Sequence, residues 1–132
     1  LVWFDDLPVS HEAFAAIHLA AIRGVYPLGE TDLHAAPDAP VTRAEAAQAL
    51  AAFFGQPALK NGRPAVEASV MAAIERGWMA SDHRNWFHPD LPFYWSDWRE
   101  DKLPAPLPQL DKRRNGPVTR RELAERLSRA WQ

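Results

Sequence analysis

The stretch Pro40-Val41-Thr42-Arg43-Ala44-Glu45 recurs 77 residues later as Pro117-Val118-Thr119-Arg120-Arg121-Glu122, and each copy opens an apolar run of helical spacing that ends in aromatic residues. In each copy the threonine hydroxyl can accept the backbone N–H of the glutamate three residues on, and the glutamate carboxylate can accept the threonine N–H. This reciprocal pair is a capping box, which marks the start of a helix. The recurrence predicts two copies of one helical unit.

A second similarity lies upstream of the capping stretches. The segment 17–25 matches the segment 70–78 at a shift of 53 residues, and each contains an Arg-Gly pair where a helix is expected to end. Pro37-Asp38 and Pro89-Asp90 are related by a shift of 52 residues, whereas the capping stretches are related by 77. The second copy therefore carries 25 extra residues, and we predict a long irregular insert at about 91–116.

Hydrophobic periodicity predicts an all-α fold with helices near residues 10–23, 42–54, 64–77 and 119–131, the first capped by Ser10. We expect a single domain over 1–132, in which repeat one (3–55) and repeat two (64–131) each form an antiparallel helical hairpin and the two pack as a small bundle. At most, Val2–Phe4 or Trp86–Phe87 forms a short extended pair. The residues expected to be buried are Phe14, Ile17, Ile22, Leu50, Phe53, Val70, Ile74, Leu123 and Leu127.

Composition limits the classes of partner. The 132 residues suit one compact domain, and the formal net charge of −2 argues against nucleic acid or an anionic membrane surface, because both require a basic face. No apolar run reaches the roughly 20 residues that span a bilayer. The chain has no cysteine, which removes disulfides and thiolate chemistry. It opens in mid-pattern at Leu1, so we expect a segment of a longer protein.

Catalytic and metal-binding patterns are missing from the sequence. There is no Gly-rich phosphate loop, nucleophile elbow or His-Glu-x-x-His. Asp97, Glu100 and Asp101 lie on a predicted loop, where nothing indicates the burial that a catalytic carboxylate pair needs. His83 and His88, with their acidic neighbours, fit no zinc or calcium spacing. We therefore expect no enzyme activity, no catalytic residue, no metal site and no cofactor.

Three features together resemble the surface-layer homology family: the start Phe4-Asp5-Asp6, the helix end Arg23-Gly24-Val25, and the segment 36–46, which contains Pro-Asp and Thr-Arg-Ala-Glu. The first repeat matches over nearly its whole length, and the second matches at both helices. The resemblance implies an all-helical module that binds bacterial cell-wall polysaccharide non-covalently. Members of this family usually carry three motifs around a pseudo-threefold axis, of which two are visible in this sequence.

The resemblance also implies site residues. Arg43 and Arg120 match the family arginine, which commonly faces a groove between repeats and meets an acidic sugar substituent such as a ketal-linked pyruvate. An arginine in the first turn of a helix adds its guanidinium fork to the positive end of the helix dipole, so a carboxylate gains from both. The rings of Trp78, Trp95 and Trp98 are candidates for stacking on sugars. Alternatively, the arginines form surface ion pairs and the tryptophans are core residues.

Two functions are therefore expected from the sequence. The first is a non-catalytic, C-terminal binding module that holds a larger exported bacterial protein at the cell surface through an acidic wall polysaccharide. The second is a helical module without glycan binding, which acts as a packing or protein-interaction domain for the remainder of a larger protein, such as an enzyme. An open groove lined by Arg43 and Arg120 with an exposed aromatic ring would favour the first, and an insert that fills the groove would favour the second.

Overall fold

The computed structural model describes residues 4–27, 34–55, 59–60, 63–64, 66–81, 84, 86–110 and 116–131. The fold of this part of the chain is all-α, as predicted, with four helices packed in two pairs. Residues 2–3 of one suggested extended pair lie outside the described residues, and residues 86–87 are not in a strand. The elements are α1 (Phe14–Ile22), α2 (Arg43–Phe53), β1 (Leu59–Lys60), β2 (Arg63–Pro64), α3 (Val66–Glu75), the 3-10 turns Trp95–Asp97 and Glu100–Lys102, and α4 (Arg120–Arg129).

The helix pairs are α2 with α3 and α1 with α4, so each helix packs mainly against one from the other repeat. This differs from the predicted hairpins, in which the two helices of one repeat pair with each other. Short connections force consecutive helices to be neighbours, but 20 residues, 23–42, separate α1 from α2. The long connection lets each helix find its partner across the molecule.

The predicted capping boxes are both present. The Glu45 N–H lies 3.1 Å from Thr42 Oγ1, and the Glu122 N–H lies 3.3 Å from Thr119 Oγ1. The start predicted for α1 at Ser10 is wrong, because residues 8–13 form turns and the helix begins at Phe14. His11 Nδ1 accepts the N–H of Ala13 at 3.0 Å, so His11 satisfies a donor at this helix start.

Most residues expected in the core are in it. Ile17, Leu50, Leu123 and Leu127 are fully buried, and Phe14, Phe53 and Val70 pack partly buried against the core. Ile22 and Ile74 were predicted buried, but they are 64% and 37% exposed. The buried face of α3 consists of Ser69, Ala72 and Ala73, and α2 presents alanines. Small side chains allow two helices to approach closely, so the bulky Ile74 lies at the edge of this contact.

The two Arg-Gly helix ends have the same geometry. Gly24 has φ of 76° and Gly77 has φ of 74°, a conformation that favours glycine because it has no Cβ. In each case the following N–H bonds back to a carbonyl five residues earlier, Val25 to Ala20 at 3.0 Å and Trp78 to Ala73 at 2.9 Å. This is the Schellman ending that the sequence predicts.

Three backbone segments close a ring at the centre of the molecule. Val41 N–H donates to the Val118 carbonyl at 2.9 Å, Val118 N–H donates to Phe93 at 2.8 Å, and Phe93 N–H donates to Val41 at 2.8 Å. Each of these residues follows a proline in the sequence, and each is at most 1% exposed. Buried backbone N–H and C=O groups must be hydrogen-bonded, and here each segment donates to one neighbour and accepts from the other.

The helix starts that follow the ring also dock across repeats. The N–H groups of Arg43 and Ala44 donate to carbonyls of the 89–91 loop, at 2.9 and 3.0 Å. Those of Arg120 and Arg121 donate to the equivalent 37–39 loop, at 3.0 and 2.9 Å. The first N–H groups of a helix have no partner within it, so these loops supply the missing acceptors.

Part of the segment predicted as an insert belongs to the cycle of backbone hydrogen bonds. In residues 92–97, Pro92 precedes Phe93, which takes part in the cycle, and a 3-10 turn follows. The Asp97 Oδ2 in this turn accepts the Tyr94 N–H at 2.9 Å. This arrangement repeats the one that Glu45 makes with the Thr42 N–H, at 2.9 Å. The segment lies 52 residues after 40–45, the same shift that relates the two Pro-Asp pairs.

Candidate functional site

The side chain of Arg43 reaches from the start of α2 into the second repeat. Its Nε donates to the Phe87 carbonyl at 2.9 Å and its Nη2 donates to the Ala80 carbonyl at 2.6 Å. Its Nη1 forms an ion pair with Asp97 Oδ1 at 3.0 Å, and the guanidinium carbon lies 4.7 Å from the centre of the Phe87 ring. The side chain is 12% exposed. Arg43 therefore joins two repeats as well as bordering the surface.

An open groove of about 330 Å³ lies beside this contact. Its lining includes the Arg43–Asp97 pair and the half-exposed residues Tyr94 and Leu91. Ser81 and His88 add hydroxyl and imidazole groups to the lining. A concave site with an apolar surface and a few convergent polar groups is the usual form of a small-ligand site.

The carboxylate of Asp97 serves two purposes. Oδ2 accepts the Tyr94 N–H at the start of the 3-10 turn, and Oδ1 faces Arg43. The carboxylate thus links the backbone of the turn that carries Tyr94 to the arginine of the neighbouring repeat.

Arg120 occupies the equivalent position at the start of α4. Its Nη2 lies 3.6 Å from Glu45 Oε2, so it pairs with the capping acid of another repeat, as Arg43 does. Its Nε is buried and has no hydrogen-bond partner among the described residues. Arg120 is not among the described residues that line the groove at Arg43, so the single groove lined by both arginines, which the sequence analysis considered, is not present in the described part of the chain.

At the third equivalent position the residue is Trp95, and here the surface is closed. The guanidinium of Arg126, itself 1% exposed, lies 4.8 Å from the centre of the Trp95 ring and 5.9 Å from the Trp98 ring. Arg126 also forms an ion pair with Glu100, and its Nε donates to the Pro108 carbonyl at 2.8 Å. The segment 98–110 therefore covers the third position.

The three tryptophans suggested for sugar stacking are core residues in this structure. Trp78, Trp95 and Trp98 are 1%, 8% and 4% exposed, and burial leaves their ring faces no room for a sugar. Tyr94, which the sequence analysis did not select, carries the aromatic ring at the groove. A signal for Tyr94 and Asp97 was present, because continuing the 52-residue shift past Pro89-Asp90 aligns them with Thr42 and Glu45.

Among the described residues, no three or more histidine, aspartate or glutamate side chains converge as a metal site would require. No helix in the described ranges is long and apolar enough to cross a membrane. Comparison of the chain with models of protein families, with curated proteins and with solved structures found no match.

Proposed function

We propose that this chain is a non-catalytic module that binds a bacterial cell-wall polysaccharide and holds a larger exported protein at the cell surface. The observation that carries the proposal is the open groove in which the Tyr94 ring lies beside the Arg43–Asp97 pair. A sugar offers an apolar ring face, which suits an aromatic side chain, and hydroxyls that both donate and accept hydrogen bonds.

The arrangement of the repeats supports the same proposal. The ring of Val41, Phe93 and Val118 joins three segments, each with an acid that caps the turn or helix after it. We propose that these are three motifs of surface-layer homology type, the second of which keeps the capping acid and has Trp95 in place of the arginine. The residues 98–115 then form the connection to the third motif.

A sedimentation assay with purified wall sacculi tests the proposed function. The intact chain is expected to co-sediment with sacculi that carry their polysaccharide and to remain in solution with sacculi stripped of it. Tyr94→Ala should reduce binding about tenfold, equivalent to about 1.4 kcal/mol. Met71→Ala is the matched control, because Met71 is 54% exposed on α3 and does not line the groove. Equal binding by both variants, or none by the intact chain, contradicts the proposal.

The outer face of α3 supports a second candidate, a packing or protein-interaction module. Val66, Met71 and Ile74 are 43%, 54% and 37% exposed, an apolar surface next to small buried residues. Exposed apolar patches often mark protein contacts. Under this alternative Met71→Asp, and not Tyr94→Ala, should abolish association with the remainder of the parent protein in a pull-down assay.

A further inference from the structure

Resting on the proposed function, we infer that the groove at Arg43 selects an uncharged saccharide over one that carries carboxylates. The family resemblance seen in the sequence implies an acidic glycan instead. In the structure, however, the charge of Arg43 is already paired within the protein.

The positive charge of Arg43 is already balanced inside the protein. Its guanidinium has five N–H groups, of which three point to the Phe87 carbonyl, the Ala80 carbonyl and Asp97. The charge is therefore paired with Asp97, while two N–H groups remain for a neutral acceptor such as a hydroxyl. Of the described residues that line the groove, Arg43 is the one arginine or lysine and Asp97 is the one carboxylate. A ligand carboxylate would either face Asp97, which repels it, or have to displace Asp97 from Arg43.

Displacing Asp97 would also disturb the turn that presents Tyr94. The same carboxylate caps that turn through the Tyr94 N–H at 2.9 Å, so movement away from Arg43 loosens the aromatic side of the groove. An acidic sugar would therefore loosen the turn that carries Tyr94, the aromatic residue on which the sugar ring must stack.

An uncharged sugar needs no displacement. A hydroxyl donates a hydrogen bond to a carboxylate and accepts one from a guanidinium, so an intact Arg43–Asp97 pair matches hydroxyls of one ring. Tyr94, which is half exposed, then packs its aromatic ring against the apolar face of the sugar. The fixed pair and the aromatic ring together define a site for a neutral sugar.

Titration of the intact chain with one wall polysaccharide in two forms tests the inference. The first form is the native acidic polysaccharide, and the second is the same material after chemical reduction of its carboxylates to alcohols. We expect the reduced form to bind at least as tightly as the native one, with less than about a twofold change in affinity between 50 and 500 mM NaCl, since neutral contacts are little screened. Asp97→Asn should weaken binding of the reduced form about tenfold.

The opposite results overturn the inference. These are binding of the native form at least tenfold tighter than the reduced form, loss of that affinity in high salt, and tighter binding by Asp97→Asn. These results would support the proposed function with an acidic polysaccharide as the ligand. If neither form binds the folded wild-type chain, both fail. The comparison of forms and salts uses the wild-type protein, so it does not depend on whether Asp97→Asn folds.

Discussion

Arg43 and Asp97 come from different repeats, and their ion pair, Nη1 to Oδ1 at 3.0 Å, joins the start of α2 to the turn that bears Tyr94. Arg120 and Glu45 make the corresponding contact at 3.6 Å. In both pairs the acid also caps its own helix or turn, Asp97 through Tyr94 and Glu45 through Thr42. One carboxylate therefore stabilises a local element and the contact between repeats.

Arg43→Ala is expected to destabilise the fold. The change leaves two backbone carbonyls and Asp97 without their donor, and hydrogen bonds to charged groups are worth about 1.5–3 kcal/mol each in net terms. We expect the free energy of unfolding in urea to fall by about 2–3 kcal/mol, with partial recovery in Arg43→Lys. Arg99→Ala, at an exposed position, is the control. Equal midpoints for the two alanine variants would contradict this.

The capping threonines should each contribute measurably to stability. Thr42→Ala and Thr119→Ala remove an oxygen that accepts a helix N–H, at a cost of about 0.5–2 kcal/mol. Serine at either position keeps the hydroxyl and should retain most of the stability. Thermal unfolding followed by circular dichroism measures the effect, and unchanged midpoints in both alanine variants would show that the recurring motif does not act as a cap.

Phe93→Ala tests whether 92–97 belongs to the core. Phe93 is fully buried and contacts Trp95 and Trp98, with ring centres 5.7 and 4.9 Å away. Truncating a buried phenylalanine costs about 3–5 kcal/mol. Leu91→Ala, at a position that is 51% exposed, should change stability by less than about 0.5 kcal/mol. A small effect at Phe93 in chemical denaturation would place the segment outside the folded core.

Asp6 should make stability depend on pH in the acid range. Burial by itself raises the pKa of its carboxyl, but hydrogen bonds from the N–H groups of Ala36 and Ala35 outweigh burial and hold the pKa below its usual range. A carboxyl whose pKa is lower in the folded state stabilises the fold above the unfolded pKa, and the stabilisation is lost as pH falls through the folded pKa. Asp6→Asn should flatten the loss of stability below about pH 4. Parallel acid-unfolding curves would exclude this role.

The sequence predicts the helix starts and stops well because their causes are local. Thr42 with Glu45, and Gly77 after Arg76, act within a few residues of chain. The pairing of α1 with α4 depends on contacts between residues more than 90 positions apart, which no local pattern contains. The cap predicted at Ser10 failed for a local reason, because the side chain of His11 accepts the N–H of Ala13 that Ser10 was expected to accept.

The residues that line the groove were harder to predict than the fold. Arg43 was selected through its motif and does line the groove, but Asp97 and Tyr94 were assigned to an insert because the second Pro-Val-Thr-Arg stretch begins at residue 117. Asp97 is equivalent to Glu45 and Tyr94 to Thr42, because in each pair the acid accepts the backbone N–H of the residue three positions earlier. The residue types in the two stretches differ, so the sequence shows this equivalence only weakly. For Trp95 and Trp98 the sequence left stacking and burial as alternatives, because their burial involves Arg126, which lies far from them in the sequence.

Mapping of the bound surface by NMR tests whether the wall polysaccharide binds in the groove at Arg43. Soluble fragments of wall polysaccharide are added to the ¹⁵N-labelled chain, and backbone amide shifts are followed. We expect the largest shifts at Arg43, Ser81 and the segment 91–97, around the groove. Shifts confined to the outer face of α3, or no shifts at millimolar fragment, would contradict it.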